Sequence, residues 1–110
     1  MDQKKKSFAI AALRRASYKW PGRYKAAKRA HVGRNEYVCE CCGEIVGRKQ
    51  RQMDHIEPMI PLTGWQGFDS MIDRLLADES GWQTLCKDCH SIKTKAENEQ
   101  RKNNKKSLDK

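Results

Sequence analysis

No apolar run in the 110 residues is long enough to cross a bilayer or to serve as a secretory signal: the one candidate, FAIAAL at 8–13, is cut off by Arg14 and Arg15. The expected setting is a cytoplasm, with no membrane partner. Hydrophobic residues are scarce as well, 37% against 34% charged, so a chain of one small domain has a thin core and needs a staple. No internal repeat is present, which removes solenoid architectures. Acids are nearly missing from one end: residues 1–34 hold eleven Lys or Arg against Asp2 alone. Histidine is rare too, with only His31, His55 and His90.

What the chain does have is cysteine, five in all, an odd number that does not suit a disulfide framework. In a reducing compartment, closely spaced cysteines hold metal more often than they pair with each other. Cys39 and Cys42 form one C-x-x-C and Cys86 and Cys89 another, which together offer four thiolates to a tetrahedral zinc ion. Two intervening residues let a tight turn aim both sulfurs at one ion, and Gly43 can take the positive φ such a turn needs beyond its second ligand. The two pairs lie more than forty residues apart, wider than in compact zinc fingers, so a sub-structure is expected between them. Cys41 could compete with Cys39 through a register shift, although a pair starting at Cys41 has no cysteine to close it and meets Glu44 instead.

Charge is arranged in three blocks. Basic ends enclose a centre, 35–85, with nine acids against four bases. Basic arms favour a polyanion such as DNA, held through phosphate contacts and counterion release, and an acidic centre suits a cation. The arm candidates are Lys4, Lys5, Lys6, Arg14 and Arg15. For the final RKNNKKSLDK, plain solubility is an equally good account.

The patterning predicts a helix from an N-cap at Ser7 to a stop at Pro21-Gly22 and a second helix ending at Gly33. Phe8, Leu13, Trp20 and Tyr24 are then available to dock this basic arm, 1–34. A turn, a short strand and a loop follow from Asn35. Apolar positions 68, 71, 72, 75 and 76 predict a packing helix capped by Asp69. WQTLC reads as a strand, and a polar helix runs from about Lys87 to Lys102. Residues 35–102 thus form the main domain and 103–110 a basic flexible tail.

Asp54 and His55 stand at the end of the strand-like QMDHI, and His90 directly follows Cys89. Closing the cysteine cluster brings residue 86 to residue 42, so these three side chains can meet. In this order, VCECCG, DHIEPMIP and WQTLCKDCHSIKT resemble the zinc-containing HNH endonucleases of phage and prophage genomes, from about Tyr37 to Thr94. The resemblance implies an α+β chain with a ββα-metal, treble-clef-like core, the four-cysteine zinc as a structural site and basic helices on its flanks. It further implies a metal-dependent endonuclease, working in the host cytoplasm if phage-encoded, that hydrolyses DNA phosphodiesters to 5′-phosphate and 3′-hydroxyl ends with little sequence preference. RNA or branched DNA are further candidate substrates. In that pattern Asp54 and His90 hold one catalytic divalent ion, magnesium, manganese or similar, and His55 is the general base. Lys93, three residues beyond His90 on the same helix face, would reach a phosphate oxygen beside the ion. A monomer with one such centre is expected to nick one strand first.

One departure stands out. The middle asparagine of the pattern falls nine residues before the last histidine, at Gly81. In relatives it braces the loop between the strands; here loop 58–67 is expected to do so, with Trp65 or Trp82 as a wedge. The alternatives are a zinc-ribbon nucleic-acid-binding module of little or no catalytic power and a protein-interaction adaptor.

Overall fold

A computed structural model describes residues 1–108, with side chains described through Lys105. Helix α1 spans Gln3–Ser17 and α2 Pro21–Ala30. Strands β1 (His31–Gly33), β2 (Glu36–Val38) and β3 (Ile45–Gly47) form an antiparallel sheet in that order. Strand β4 (Gln52–His55) is followed by α3 (Phe68–Leu75), a single 3-10 turn (Glu79–Gly81), β5 (Trp82–Leu85) and the long α4 (Lys87–Leu108). Strands β4 and β5 pair antiparallel, with Asp54 opposite Gln83 and His55 opposite Trp82. The chain is a small mixed α+β protein of four helices and two small sheets among the described residues.

Helix α1 begins earlier than Ser7. Asp2 is the cap, its Oδ1 accepting the Lys4 amide at 2.7 Å, because a carboxylate at a helix start also meets the positive end of the dipole. Pro21 opens α2 instead of ending α1, the usual first-turn use of a residue that has no amide to satisfy. Helix α2 then stops at Ala30, and His31 to Gly33 turn extended. Gly67, at φ 97°, caps α3, which leaves Asp69 in the first turn. Helix α4 passes the expected end at Lys102 and runs to Leu108, so 103–108 are helical; residues 109 and 110 of the expected flexible tail lie outside the described residues.

The arm docks through small residues, not through its aromatics. Ala26, Ala27 and Ala30 are buried, whereas Phe8 and Tyr24 are 75% and 69% exposed. Trp20 does contribute: its Nε1 donates to the Ala77 carbonyl at 2.7 Å, and Trp82 Nε1 donates to the same oxygen at 3.0 Å. Gly22 lies against that carbonyl with no room for a Cβ. One carbonyl past the end of α3 therefore joins the start of α2 to the start of β5. Arg29 extends this seam. Its guanidinium makes a two-pronged pair with Glu40 at 3.0 Å and also donates to the carbonyls of Glu79 and Trp82 at 2.9 and 2.8 Å. Glu40 in turn accepts the Thr84 amide at 2.9 Å, so this one pair ties the arm, the first cysteine turn and β5 together.

Candidate functional site

The first cysteine turn sits between β2 and β3. The Cys39 amide donates to Glu44 O and the Gly43 amide to Cys39 O, both at 2.8 Å, and Gly43 has φ +82°. The second turn is the start of α4. In each turn the amide three residues on points at the first sulfur: Cys42 N to Cys39 Sγ at 3.5 Å and Cys89 N to Cys86 Sγ at 3.4 Å. The sulfurs of Cys39, Cys42, Cys86 and Cys89 all lie within 4.8 Å of one another. Cys42 and Cys86 are 3.9 Å apart, close to the ~3.8 Å edge of a tetrahedron built on Zn–S bonds of ~2.3 Å.

These four cysteines could hold a metal ion such as zinc. Burial pushes the Cys39 thiol up, but amides of Cys42, Cys86 and Cys41 outweigh it and bring the thiol down to about 6. The Cys89 thiol is pushed strongly up, first by Cys86 and then by burial and the other sulfurs. A bound cation would favour the thiolate form of such a cluster. Cys41 is exposed and outside the group.

The second cluster is supplied by β4 and the first turn of α4. Because β4 ends at His55, Asp54 and His55 both reach one cleft, of about 660 Å³, whose lining includes His90 from the first turn of α4. His90 Nε2 faces Asp54 Oδ1 at 3.8 Å, too far for a hydrogen bond. The other carboxylate oxygen, Oδ2, is engaged: Gln83 Nε2 donates to it at 2.9 Å and Lys93 Nζ lies at 3.1 Å. Lys93, expected from helical spacing to reach toward a phosphate, is already engaged. Its ammonium is shared among Asp54, Glu97 at 3.0 Å and the His55 carbonyl at 3.0 Å.

No family model, curated protein or solved structure matches this chain. The chemistry of the cleft is read from its own atoms.

His55 Nε2 lies 2.9 Å from the Leu75 carbonyl, which can only accept, so Nε2 carries the proton and Nδ1 keeps its lone pair. The imidazole also stacks on its cross-strand partner Trp82, centroids 3.9 Å apart. Burial holds its pKa below the ordinary 6.5, and Lys93 and Arg14 act in the same direction against the Leu75 carbonyl and Asp54. The ring is a neutral acceptor at neutral pH.

Gly81 has a steric explanation. Its carbonyl accepts the Ile56 amide at 2.9 Å, and a Cβ there would lie 2.6 Å from Ala77 Cβ. Main chain therefore holds the start of the loop that follows β4. Further along, Arg74 donates to Pro58 O, Arg101 to Ile60 O and Asn104 to Leu62 O at 3.2, 2.8 and 3.0 Å. Trp82, 2% exposed, packs against the His55 ring, and Trp65 packs edge-on to Phe68 with Lys6 over its ring. Gly81→Asn is accordingly expected to lower stability by about 1–3 kcal/mol through overpacking. A thermal melt checks this; a variant melting with the wild type would mean the 3-10 turn yields easily.

The basic arm divides. Lys4, Lys5, Arg14 and Arg15 are exposed, Lys6 is spent on Trp65, and Arg14 also borders the cleft near His55. Arg23, Arg29 and Arg101, which spacing alone does not single out, carry more of the architecture or border the cleft.

Proposed function

We propose that the chain is a zinc-stabilised, metal-dependent nuclease of the HNH type that hydrolyses DNA phosphodiesters. The observation that carries this reading is the convergence of Asp54, His55 and His90 on one cleft, with His55 fixed as a proton acceptor by Leu75. Two antiparallel strands followed by a helix, β4, β5 and α4, supply those residues, which is the arrangement a ββα-metal core requires. Zinc is the ion proposed for the four cysteines, since an all-thiolate set at these separations suits it.

In this reading His55 Nδ1 takes a proton from the water that attacks phosphorus, and the P–O3′ bond breaks to leave a 5′-phosphate and a 3′-hydroxyl. Leu75 O keeps the ring in its tautomer as the positive charge develops. Asp54 Oδ1 and His90 Nε2 fit a small divalent ion, being a hard oxygen and a nitrogen that face each other without a mutual hydrogen bond. Such an ion would supply charge stabilisation for the phosphate oxygens and the leaving oxygen. Lys93 holds Asp54 in place and adds positive charge beside it.

The test is the chemistry of the cut ends together with an Asp54→Asn variant. A labelled duplex incubated with magnesium or manganese should give 5′-phosphate, 3′-hydroxyl fragments, and Asp54→Asn should stop cleavage without loss of thiolate-bound metal. Fragments carrying 3′-phosphate, or cleavage undiminished in the variant, would contradict the assignment. A second reading, a zinc-ribbon nucleic-acid binder without turnover, is favoured by one observation: Lys93 and Gln83 already occupy Asp54 Oδ2. It predicts DNA binding with no cleavage in any metal.

A further inference from the structure

Among the described residues, Arg14 and Arg23 in the cleft lining and Arg51 just before β4 have no acidic partner. Arg51, just before β4, stacks over Tyr37 at 4.3 Å, and its Nη1 is buried with no hydrogen-bond partner. Arg23 lies over the ring of Tyr18, 4.9 Å away. Burial lowers the pKa of Arg23, and the charge of Arg51 lowers it further, so the two guanidinium groups repel each other.

A folded chain does not gain by this arrangement. An unpartnered guanidinium nitrogen shut away from water and a like charge beside it both cost stability, and the acids Asp78, Glu79 and Asp88 are exposed elsewhere without compensating them. Sites that hold uncompensated charge at the expense of stability are commonly sites for a ligand of the opposite sign. The position fits: Arg51 immediately precedes β4, the strand that ends at His55, and its charge is felt by Arg23. Arg14 lies beside His55, and Arg23 borders the cleft from α2.

We propose that Arg23, backed by the charge of Arg51, with Arg14 nearer His55, forms an anion site for backbone phosphates flanking the phosphodiester presented to Asp54, His55 and His90. The ligand class is a nucleic-acid strand, recognised by its phosphates and not by its bases. This rests on the nuclease reading for which phosphate is cut, but not for the binding itself. It moves the main phosphate contacts from the exposed lysines of α1 to the cleft.

The experiment measures affinity for a short labelled DNA duplex over a range of salt, without added divalent metal, together with thermal melts. For Arg23→Gln the slope of log affinity against log salt should fall by about 0.9, the loss of one phosphate contact. Arg51→Met should weaken DNA binding several-fold while melting at or above the wild-type temperature. Arg51→Lys, which keeps the charge, should restore most of the affinity. Sulfate should raise the melting temperature of the wild type more than that of Arg51→Met at matched ionic strength, and DNA should do so at far lower concentration. If sulfate matches DNA at equal phosphate or sulfate concentration, the site takes free anions and the strand assignment falls. Unchanged salt slopes, or an Arg51→Met protein that melts well below wild type, would overturn the proposal and make the arginines structural. Failure of the nuclease reading would show separately, as absence of cleavage with these binding differences intact.

Discussion

Cys86→Ser is expected to abolish the stable fold, while Cys41→Ser leaves it unchanged. Cys86 is 4% exposed, in the cluster with Cys39 and Leu85 against which Val46 and Cys89 pack, and the other buried hydrophobic residues are three alanines with Met71, Leu75 and Trp82. A core that thin cannot by itself exceed the entropy of ordering the chain. Zinc bound by four thiolates contributes about 10–16 kcal/mol of binding free energy to folding, of the same order as the ~5–15 kcal/mol total stability of an ordinary domain. Losing one thiolate therefore removes more than the margin. Circular dichroism and metal content measure the outcome: the Cys86→Ser protein should be metal-depleted and without a cooperative melt at room temperature. A variant melting with the wild type would show that the cysteines merely pack. Cys41 is exposed and outside the group, so its replacement controls for loss of any thiol.

His55→Ala is expected to reduce DNA cleavage by about 10²–10⁴-fold, the usual contribution of a positioned general base, with DNA affinity within a few-fold of wild type. The side chain does two things, and the variant separates them. It stacks on buried Trp82 and donates to Leu75 O, so truncation also costs some stability. His55→Gln, which can still donate to Leu75 but offers no basic nitrogen, should hold the fold better and remain as slow. Single-turnover cleavage with both variants, alongside melts, reads the difference. If His55→Gln cleaves at the wild-type rate, the base is another group and His55 is structural.

Spacing made the cysteine cluster legible because two C-x-x-C turns constrain their sulfurs locally, and Gly43 adopts the positive φ those turns imply. The strand end at His55 and the start of α4 beside Cys89 were readable for the same reason: each lies within a few residues of its signal. Long-range pairing was not readable. Nothing near Arg29 announces Glu40, Glu79 and Trp82 as its partners, and nothing near Lys93 shows that Asp54 holds its ammonium, although the pair with Glu97, four residues on, is a local helix pairing. Helix starts misled where two capping residues compete, as Asp2 does with Ser7, and where proline opens a helix. Aromatic residues at helical spacing suggested docking by Phe8 and Tyr24, but closely packed α2 uses Ala26, Ala27 and Ala30, which allow the backbones to approach.

The most direct measurement is conversion of supercoiled plasmid by zinc-loaded protein freed of loosely bound ions and then given magnesium or manganese. The account predicts an open-circle product that appears only with added metal, precedes any linear form, and is lost in His55→Gln. Protein that binds the plasmid yet leaves it supercoiled in every metal would contradict the account and leave a nucleic-acid-binding module in its place.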